Sequence, residues 1–365
     1  MTVLAIDAGS SSLKFGLYSR DGAGALRCLD SGTITDPVGP SSAAVQRLLG
    51  LCSGMPAAIA HRLVFGGPNL VVPTLADAAS LRALEALVPM EPLHLRPQLD
   101  LVYAAQAAAP GTPNVLCFDT AFHASMPAVA KRLPLPPTID PSMRRYGFHG
   151  LSYEYVIGAL GPALRGRAVI AHLGSGASLC ATHDGRPIDT TMGFSALGGL
   201  MMATRPGDLD PGVLLQLMRL GYADRERLAE FLNGECGLAG VSGRSPDIRE
   251  LFAVTTSDKR AREALELFDY QLLKHACAMI GVLGGLDALV FTGGIGEHQP
   301  VVRERLCRSL RFLGVDIDAS ANQRHAATIS TAQSTVSVRV IATDETAVMA
   351  RHAYELIGRV RAQPQ

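Results

Sequence analysis

Tryptophan is absent from this 365-residue chain, and only four residues are lysine: Lys14, Lys131, Lys259 and Lys274. Acidic and basic residues balance at 33 each, so the sequence lacks the charge pattern typical of proteins that bind nucleic acid or anionic membranes. No run reaches the roughly 18 uncharged apolar residues of a membrane span. The first apolar run contains Asp7 and Lys14, which is unlike a signal peptide. We therefore expect a cytoplasmic protein.

Several kinds of site are also missing from the sequence. Seven cysteines are scattered without a CxxC pair, a pattern that favours buried reduced thiols over disulfides or metal ligands. Ten histidines include no HExxH motif, which argues against zinc held by the protein. The motifs GxxxxGK(S/T), GxGxxG and GxSxG are absent, so the sequence predicts no P-loop, no dinucleotide-binding fingerprint and no hydrolase nucleophile elbow.

What the sequence does contain is an alternation of predicted strands and helices. A chain of 365 residues that is 48% hydrophobic suggests two globular domains of about 150 residues or more. The predicted strands are Asn114–Asp119, Asp287–Thr292 and Val336–Ala342. The predicted helices are Ala76–Leu87, Leu99–Ala109, Pro211–Leu220, Lys259–Leu283, Pro300–Leu313 and Thr346–Val360. This alternation predicts an α/β fold with its sites at the carboxyl ends of strands.

One further pattern occurs twice in the chain. A strand, a bend of small residues and a return strand are predicted at Val3–Ile6 with Leu13–Tyr18, and again at Val169–His172 with Ser178–His183. The alignment of the two hairpins pairs Asp7 with His172, Gly9 with Gly174 and Ser10 with Ser175. Two matching hairpins suggest a duplicated α/β domain, in which each half begins with a loop of the size that holds a phosphate.

Loops of small residues follow four of the predicted strands. They are Gly9–Ser12, Gly174–Ala177, Gly240–Ser245 and Gly293–Gly296. Glycine lets backbone N–H groups approach an anion closely, and serine hydroxyls add further donors. One such loop alone is usually an ordinary turn, but the matched hairpins and a Gly-rich stretch before a helix together favour phosphate binding.

Three acidic residues lie at the ends of apolar strands: Asp7, Asp119 and Glu345. A single acid after a strand is more often a cap or a turn former. Three of them make a better candidate for Mg²⁺, which takes one or two carboxylates together with water and substrate phosphates.

Two arginines and a histidine stand in unusual surroundings. Arg62 and Arg205 lie in apolar or Gly-rich segments, where a guanidinium either pairs with a structural carboxylate or grips the oxygens of a bound carboxylate or phosphoryl group. His149 lies among aromatic residues, a context that is more often that of a packed core histidine. Composition and spacing leave these alternatives open.

Several motifs of the chain resemble those of a known protein family. FDTAFH at Phe118–His123 and RRYGFHG at Arg144–Gly150 are highly specific, and the chain is similar to the acetate kinase family over nearly its whole length. The other matching motifs are Ile6–Lys14, His61–Gly67, Pro92–His94, His172–Ser178, Asp189–Phe194, Thr204–Pro211, Gly240–Arg249, Phe291–Glu297 and Thr343–Glu345.

The resemblance implies two duplicated ribonuclease-H-like domains of the actin-like ATPase type, with a cleft between them. It places the N-terminal domain at residues 1–122 plus 347–365 and the C-terminal, nucleotide-binding domain at residues 123–346. The implied reaction is reversible phosphoryl transfer from ATP to a short carboxylate, which gives an acyl phosphate and ADP. Mg²⁺, or Mn²⁺ in its place, is the implied metal, and a homodimer is the usual assembly.

By motif position the resemblance also implies site residues. The catalytic residues would be Asp119, His149, Arg205 and Arg62. Those around the acid would be Arg62, Val64, Leu93, His94 and Phe148. Those around the nucleotide would be Lys14, His172, Gly174, Ser175, Gly176, Asp247, Ile248, Arg249, Gly294, Ile295 and Gly296. The metal would be held by Asp7 and Glu345. Because a carboxylate is already a nucleophile at pH 7, alignment and charge neutralisation would suffice for catalysis.

The chain departs from the family pattern at several of these positions. The family has Asn where this chain has Asp7, Ser175, His298 and Asp344. It has His where this chain has Phe65, and Pro and Glu where this chain has Ala196 and Gly198.

Acetate is the leading substrate, and propionate or butyrate is the alternative, because Ala196 would enlarge the acyl pocket. An alternative of another class is a non-catalytic, actin-like nucleotide-binding protein, which would have no reason to keep Arg62, Arg205 and His149.

Overall fold

The computed structural model describes residues 1–8, 12–22, 24–35, 42–136 and 138–362. The chain divides into two compact units. Unit 1 consists of residues 1–124, 148–155 and 344–365, and unit 2 consists of residues 125–147 and 156–343. Unit 1 is therefore built from three separate segments of the chain, and its last segment is the C-terminal helix.

Unit 1 contains a mixed sheet. Within its described residues the strands are β1 (Thr2–Ala8), β2 (Leu13–Arg20), β3 (Leu26–Ile34), β4 (Ala58–Leu63), β5 (Thr74–Leu75) and β6 (Asn114–Phe118). They lie in the order β3-β2-β1-β4-β6-β5. The hairpin β1–β2 is antiparallel, whereas β1, β4 and β6 run parallel. The hairpin predicted at Val3–Tyr18 is present, although Gly9, Ser10 and Ser11 of its loop lie outside the described residues.

Helices cover both faces of this sheet. They are α1 (Ser42–Gly50), α2 (Ala78–Glu85), α3 (Pro92–Ala108) and α14 (Glu345–Ala362), with the first part of α5 (Gly150–Leu160). Side chains of β1 alternate between the faces, as a strand requires: Val3 and Ala5 pack with α14, whereas Leu4 and Ile6 pack with α1 and α3. The buried apolar faces of the helices thus fix the sheet from both sides.

Unit 2 repeats this plan. Its strands are β7 (Arg167–Leu173), β8 (Ala177–His183), β9 (Arg186–Thr190), β10 (Ala288–Thr292) and β11 (Ser337–Val340), in the order β11-β10-β7-β8-β9 within the described residues. Again the first two strands form an antiparallel hairpin and the first strand is parallel to the next two in the sheet. The shared strand order bears out the duplicated α/β domain that the two hairpins predicted.

The remaining helices belong to unit 2. They are α4 (Ala128–Lys131), α6 (Pro211–Arg219), α7 (Arg225–Gly234), α8 (Gly237–Ser242), α9 (Ile248–Val254), α10 (Lys259–Leu283), α11 (Gly293–His298), α12 (Pro300–Ser309) and α13 (Ala319–Gln323). The predicted bounds of α10 match the structure. Among the described residues, no helix combines the length and the apolar character that crossing a bilayer requires.

Three sequence predictions about local structure were wrong. The stretch Gly293–Gly296 is the start of α11 rather than a loop, because Gly293 adopts a left-handed φ of 75° that turns the chain directly from β10 into a helix. The predicted loop Gly240–Ser245 begins inside α8. Helix α3 begins at Pro92, seven residues before the predicted start at Leu99, because proline is tolerated in a first turn and the helix continues through Pro97.

Candidate active site

The carboxyl edge of the unit 1 sheet gathers charged side chains. Asp7 is the penultimate residue of β1, Arg62 is the penultimate residue of β4, and Asp119 follows β6 directly. Since β1, β4 and β6 are parallel neighbours, these three residues meet at one edge. Asp7 and Asp119 are buried, with 4% and 1% of their surface exposed.

Arg62 is held on most sides by carboxylates. Its Nε donates to both oxygens of Asp119 at 3.1 and 3.0 Å, and Nη2 donates to Asp119 Oδ2 at 2.7 Å. Nη1 donates to Asp7 Oδ1 at 2.9 Å. Burial lowers the pKa of Arg62, but Asp119, Asp7 and Glu345 more than offset this effect and raise it above its ordinary value. The guanidinium is therefore charged and oriented before any ligand arrives.

Glu345, the first residue of α14, completes this group. Its Oε2 lies 3.6 Å from Nη1 of Arg62, within ion-pair distance but beyond a hydrogen bond. Burial, followed by repulsion from Asp7 and Asp119, raises the pKa of the Glu345 carboxyl to about 7 despite the opposing charges of Arg62 and Lys14. Three carboxylates thus surround one guanidinium, and the group carries an excess of negative charge when all are ionised.

A hydrogen-bond network fixes the start of α14, where Glu345 lies. The Asp344 carboxylate accepts from the Ala347 N–H at 3.0 Å and from the Thr346 hydroxyl at 2.7 Å. The Tyr18 hydroxyl, on β2, donates to Asp344 Oδ2 at 2.9 Å. Tyr18 is 2% exposed, so its hydroxyl reaches Asp344 from the core. Tyr18 was missed by sequence reasoning, because nothing local relates it to a residue more than 300 positions away.

His149 stands at the start of α5 in a strained conformation. Its φ of 59° is left-handed, which is uncommon outside glycine. The next residue, Gly150, donates its N–H to the Asp119 carbonyl at 2.9 Å, and a Cβ there would lie 2.2 Å from that oxygen. The backbones that carry His149 and Asp119 are therefore joined. His149 is 9% exposed, so it reaches the surface only slightly.

The residues predicted to surround the acid differ in exposure. Phe148 is buried at 3%, Val64 is half-buried, and Leu93 is 51% exposed. Phe65, where the family pattern has His, stacks against Phe148 with ring centroids 6.5 Å apart. His94 Nδ1 lies 2.8 Å from Glu91 Oε1.

Unit 2 carries Gly-rich bends at the corresponding edge of its own sheet. His172 pairs with Ser178 across the β7–β8 hairpin. The bend between them is tight, because the Gly174 N–H donates to the Gly176 carbonyl at 3.0 Å. Ser175 at its tip is exposed, and its carbonyl accepts from the Ala203 N–H at 3.1 Å. The loop thus presents a serine hydroxyl and backbone groups to solvent on a fixed frame.

Helix α11 is held at both ends. At its start, Glu297 Oε1 accepts from the N–H groups of Gly293 at 2.9 Å and Thr343 at 3.2 Å. At its end, Arg303 Nη1 donates to the carbonyls of Gly296 at 2.7 Å and Glu297 at 2.9 Å. A Cβ on Gly294 would meet open space, so the free face of this helix can approach a ligand.

Arg303 is fully buried yet has no carboxylate partner among the described residues. Besides the α11 carbonyls, its guanidinium donates to Asn322 Oδ1 and O at 2.8 and 2.7 Å and to His325 Nδ1 at 3.0 Å. Burial lowers the pKa of Arg303 to about 10. Its five N–H donors are all used by neutral acceptors, which makes it an anchor of α11 that sequence motifs did not reveal.

Two more predicted sites lie elsewhere in unit 2. Asp247 caps α9 and pairs with the exposed Arg249 at 2.6 Å, whereas Ile248 between them is buried at 3%. Arg205 donates from Nη1 to the Ala196 carbonyl at 2.8 Å. Its own backbone carbonyl accepts from the Met202 N–H, so its loop is folded back on itself.

Comparison with known proteins places these features in a family. The acetokinase family model matches residues 53–351, which is most of the chain and includes Arg62, Asp119, His149, Arg205 and Glu345. The chain belongs to the acetokinase family. Acetate kinase of Nitrobacter hamburgensis is 40% identical to it, and the alignment covers 98% of this chain and 96% of that protein.

Solved structures of acetokinase-family proteins show the same fold. Porphyromonas gingivalis acetate kinase matches with a TM-score of 0.85 and 31% identity, over 98% of this chain and 99% of that chain. A propionate kinase from Francisella tularensis matches with a TM-score of 0.87 and 30% identity, over 96% and 98%. The chain has the two-domain, actin-like α/β fold of this family, as its motifs implied.

In this acetokinase-family chain, residues predicted from separate motifs share one site in unit 1. The structure brings together Asp7, Arg62, Asp119 and Glu345 in direct ion pairs. A residue missed by sequence reasoning is His123, which is fully buried and whose Nε2 donates to the Phe148 carbonyl at 2.9 Å. Burial lowers the pKa of His123 to about 4, so it is a neutral donor that fixes the backbone just before His149.

Proposed function

We propose that this chain catalyses the reversible transfer of the γ-phosphoryl group of ATP to acetate, which gives acetyl phosphate and ADP. As a member of the acetokinase family it is a kinase that uses ATP and a carboxylate. The observation that carries the assignment of the site is the meeting of Asp7, Arg62 and Asp119 at the ends of three adjacent parallel strands. A fixed guanidinium at this edge suits an anionic substrate.

Arg62 and Arg205 are the proposed ligands of the carboxylate and of the transferring phosphoryl group. The described residues give the second Nη2 hydrogen of Arg62 no partner, and its side chain is 16% exposed. We expect this N–H to meet the substrate, while Asp119 holds the other side of the guanidinium in place. Asp119 is then the residue that positions Arg62, and His149 donates a hydrogen bond to the phosphoryl group in the transition state.

The reaction requires no general base. A carboxylate oxygen of the acid attacks the γ-phosphorus, the new O–P bond forms, and the bond between phosphorus and the bridging oxygen breaks, with its electron pair leaving on ADP. The acid is already ionised at pH 7. Catalysis therefore depends on in-line alignment and on neutralising the charge spread over the phosphoryl oxygens.

The carboxylates fit a magnesium site. Mg²⁺ binds one or two carboxylates together with phosphates and water, and Asp7 and Glu345 supply two carboxylates beside Arg62. The excess negative charge around Arg62, with the pKa of Glu345 raised to about 7, is what a divalent cation would offset. We propose that Glu345 and Asp7 hold Mg²⁺, or Mn²⁺ in its place, which would neutralise charge on the ATP phosphates.

Residues of unit 2 are the proposed nucleotide ligands. We propose that His172 and the Gly174–Gly176 bend contact the phosphates and that Lys14, on β2 of unit 1, adds positive charge. The adenosine ligands would be Asp247, Ile248, Arg249, Gly294, Ile295 and Gly296. Because the Ile248 side chain is buried, its contribution would come from the backbone.

The acid pocket is proposed to consist of Val64, Leu93, His94 and Phe148. The second candidate function is a propionate or butyrate kinase of the same family. Ala196, where the family pattern has Pro, favours it, because a smaller side chain leaves more room for the acyl chain. The similarity to a propionate kinase is in keeping with this alternative.

We also propose a homodimer in the cytoplasm as the working form of the protein. The proposed functional domains are residues 1–122 plus 347–365, and residues 123–346 as the nucleotide-binding domain. Sedimentation of the purified chain would measure the assembly.

The function is tested by trapping the acyl phosphate with hydroxylamine. The purified chain is incubated with ATP, Mg²⁺ and, in separate reactions, acetate, propionate or butyrate. We expect hydroxamate from acetate, and a preference between acetate and propionate within a few hundredfold in kcat/KM, because these two acids differ by one methylene, which is worth only about 1–3 kcal/mol. ADP release without an acid, and no hydroxamate from any acid, would contradict the proposed function.

A further inference from the structure

The segment that follows β4 leaves the sheet but remains largely buried. The pairing of β4 with β6 ends at Leu63, and Val64, Phe65 and Gly66 come next. Phe65 and Gly66 are buried and Val64 is half-buried. Backbone N–H groups at such positions need hydrogen-bond partners from outside the sheet, because an unsatisfied buried donor costs free energy.

Two buried side chains supply these partners. Gln98, on α3, accepts the Val64 N–H with Oε1 at 2.9 Å. Thr120, just after β6, accepts the Gly66 N–H with its hydroxyl oxygen at 3.2 Å. Gln98 is 2% exposed and Thr120 is 5% exposed, so both are positioned by their own packing and the segment is held from two different elements.

Gln98 also connects this segment to the end of β1. Its Nε2 donates to the Ala8 carbonyl at 3.4 Å, and Ala8 follows Asp7 directly. One side-chain amide therefore joins the ends of β1 and β4, the strands that carry Asp7 and Arg62. Because Oε1 of Gln98 accepts one hydrogen bond and Nε2 donates the other, the two bonds also determine the orientation of the amide.

Close packing leaves this segment little freedom. A Cβ on Gly66 would lie 2.1 Å from the Leu70 carbonyl oxygen and 3.0 Å from the Phe118 ring. The Phe65 ring packs on Phe148. Because Val64 lies two residues after Arg62 and is itself one of the two anchored positions, any shift of the segment would move the proposed acyl wall relative to the guanidinium.

We propose that Gln98 and Thr120 are positioning residues that set the acyl-size selectivity of the acid pocket by fixing Val64–Gly66. This inference rests on the proposed function. Both residues act through the backbone of this segment and not by contact with the substrate. Val64 presents the apolar wall, and the two hydrogen bonds decide how far that wall lies from the carboxylate held at Arg62.

The test uses variants that remove one acceptor each. Gln98→Leu keeps the approximate volume and loses both amide contacts, and Thr120→Val loses only the hydroxyl. We expect the KM for acetate to rise about tenfold in each, the kcat/KM ratio of acetate to butyrate to fall at least threefold, and the KM for ATP to stay within twofold. Thr120→Ser keeps the hydroxyl and should restore the acetate KM.

A matched control lies on the same helix. Gln106, eight residues further along α3, donates to the Ala76 carbonyl at 2.7 Å, so Gln106→Leu also removes an amide contact with backbone but leaves Val64 untouched. We expect Gln106→Leu to leave the KM for acetate and the acetate-to-butyrate ratio of kcat/KM unchanged. In a Val64→Ala background, Gln98→Leu should no longer alter the acetate-to-butyrate ratio, because the wall that Gln98 positions is gone.

The two hypotheses fail in different ways. If the unmodified chain forms no hydroxamate, the proposed function fails. If the unmodified chain is active and the folded Gln98→Leu and Thr120→Val variants keep its acid selectivity, the positioning role is overturned. It is also overturned if the KM for ATP rises as much as that for acetate. Should one of these variants not fold, as judged by circular dichroism, the other and Thr120→Ser decide the matter.

Discussion

The two sheets share a strand order, but the residues at their carboxyl edges differ in chemistry. In unit 1 the ends of β1, β4 and β6 carry Asp7, Arg62 and Asp119, joined by ion pairs. In unit 2 the ends of β7 and β10 carry a Gly-rich bend and a short helix, held by backbone and side-chain hydrogen bonds. The same topology therefore presents fixed charge on one edge and backbone groups on the other.

The two buried arginines make the same contrast. The carboxylates around Arg62 raise its pKa above the ordinary value despite burial, whereas burial among neutral acceptors lowers the pKa of Arg303 to about 10. Arg62 retains some exposure and can meet a ligand, but Arg303 is fully enclosed. The arginine at the proposed substrate site is thus balanced by carboxylates, while the arginine that anchors α11 is surrounded by carbonyl, amide and imidazole acceptors.

Removal of Arg62 should have the largest effect, because it breaks the charged edge itself. Arg62→Ala is expected to lower kcat/KM by about 10³–10⁵. It should also lower the free energy of unfolding by about 3–5 kcal/mol, since Asp7 and Asp119 would remain buried without their partner. Acyl hydroxamate assays and urea unfolding measure the two effects. An active variant would show that Arg62 has only a structural role.

Arg205→Ala should lower the rate by a similar factor, about 10³–10⁵, but should change the free energy of unfolding only slightly. The Arg205 side chain is only half-buried, and its Nη1 donates to the Ala196 backbone carbonyl. Steady-state kinetics together with a thermal melt separates it from Arg62. Near-normal turnover in a folded Arg205→Ala protein would contradict its proposed role at the phosphoryl group.

His149→Ala is expected to lower kcat by about 10²–10³, with a smaller change in the KM for ATP, as for the loss of one transition-state donor. Its left-handed backbone is tied to Asp119 through Gly150, so His149→Asn, which tolerates that conformation, is the matched control for the fold. If both variants unfold and neither shows a specific rate defect, His149 is a packed core residue.

Arg303→Lys tests the edge of unit 2. Lysine has three donors where arginine has five, so at least two of the acceptors around Arg303 would lose their partner. We expect the KM for ATP to rise about tenfold, while the KM for acetate changes less than threefold. Equal changes in both constants would show that α11 is not a nucleotide site.

The smallest effect is expected at Asp7. Asn can still accept the hydrogen bond from Arg62, so Asp7→Asn should remain active. The Mg²⁺ concentration for half-maximal rate should rise roughly three- to tenfold, because an amide oxygen attracts Mg²⁺ less than a carboxylate does. The rise should stay small, because the repulsion between Asp7 and ATP is relieved as well. An unchanged midpoint in a titration at fixed ATP would leave Asp7 as a structural partner of Arg62.

Local patterns in the sequence predicted much of the fold. The two hairpins, the buried strands β6 and β10 and the long helix α10 follow from apolar runs and helical spacing, because such periodicities report which face of an element is buried. The motifs indicated the acetokinase family and named Arg62, Asp119 and Glu345 as candidates. Strands such as β3 were missed, since most of that strand is exposed and its pattern carries little apolar signal.

By itself the sequence determined the alternation of strands and helices, the duplication and the family. Only the tertiary structure decided which side chains meet. The contacts of Tyr18 with Asp344, of Gln98 with Val64 and Ala8, and of Arg303 with α11 join residues that no periodicity relates. The physical reason is that a buried polar group must find its partner in space, and packing of helices on a sheet chooses that partner without regard to separation along the chain.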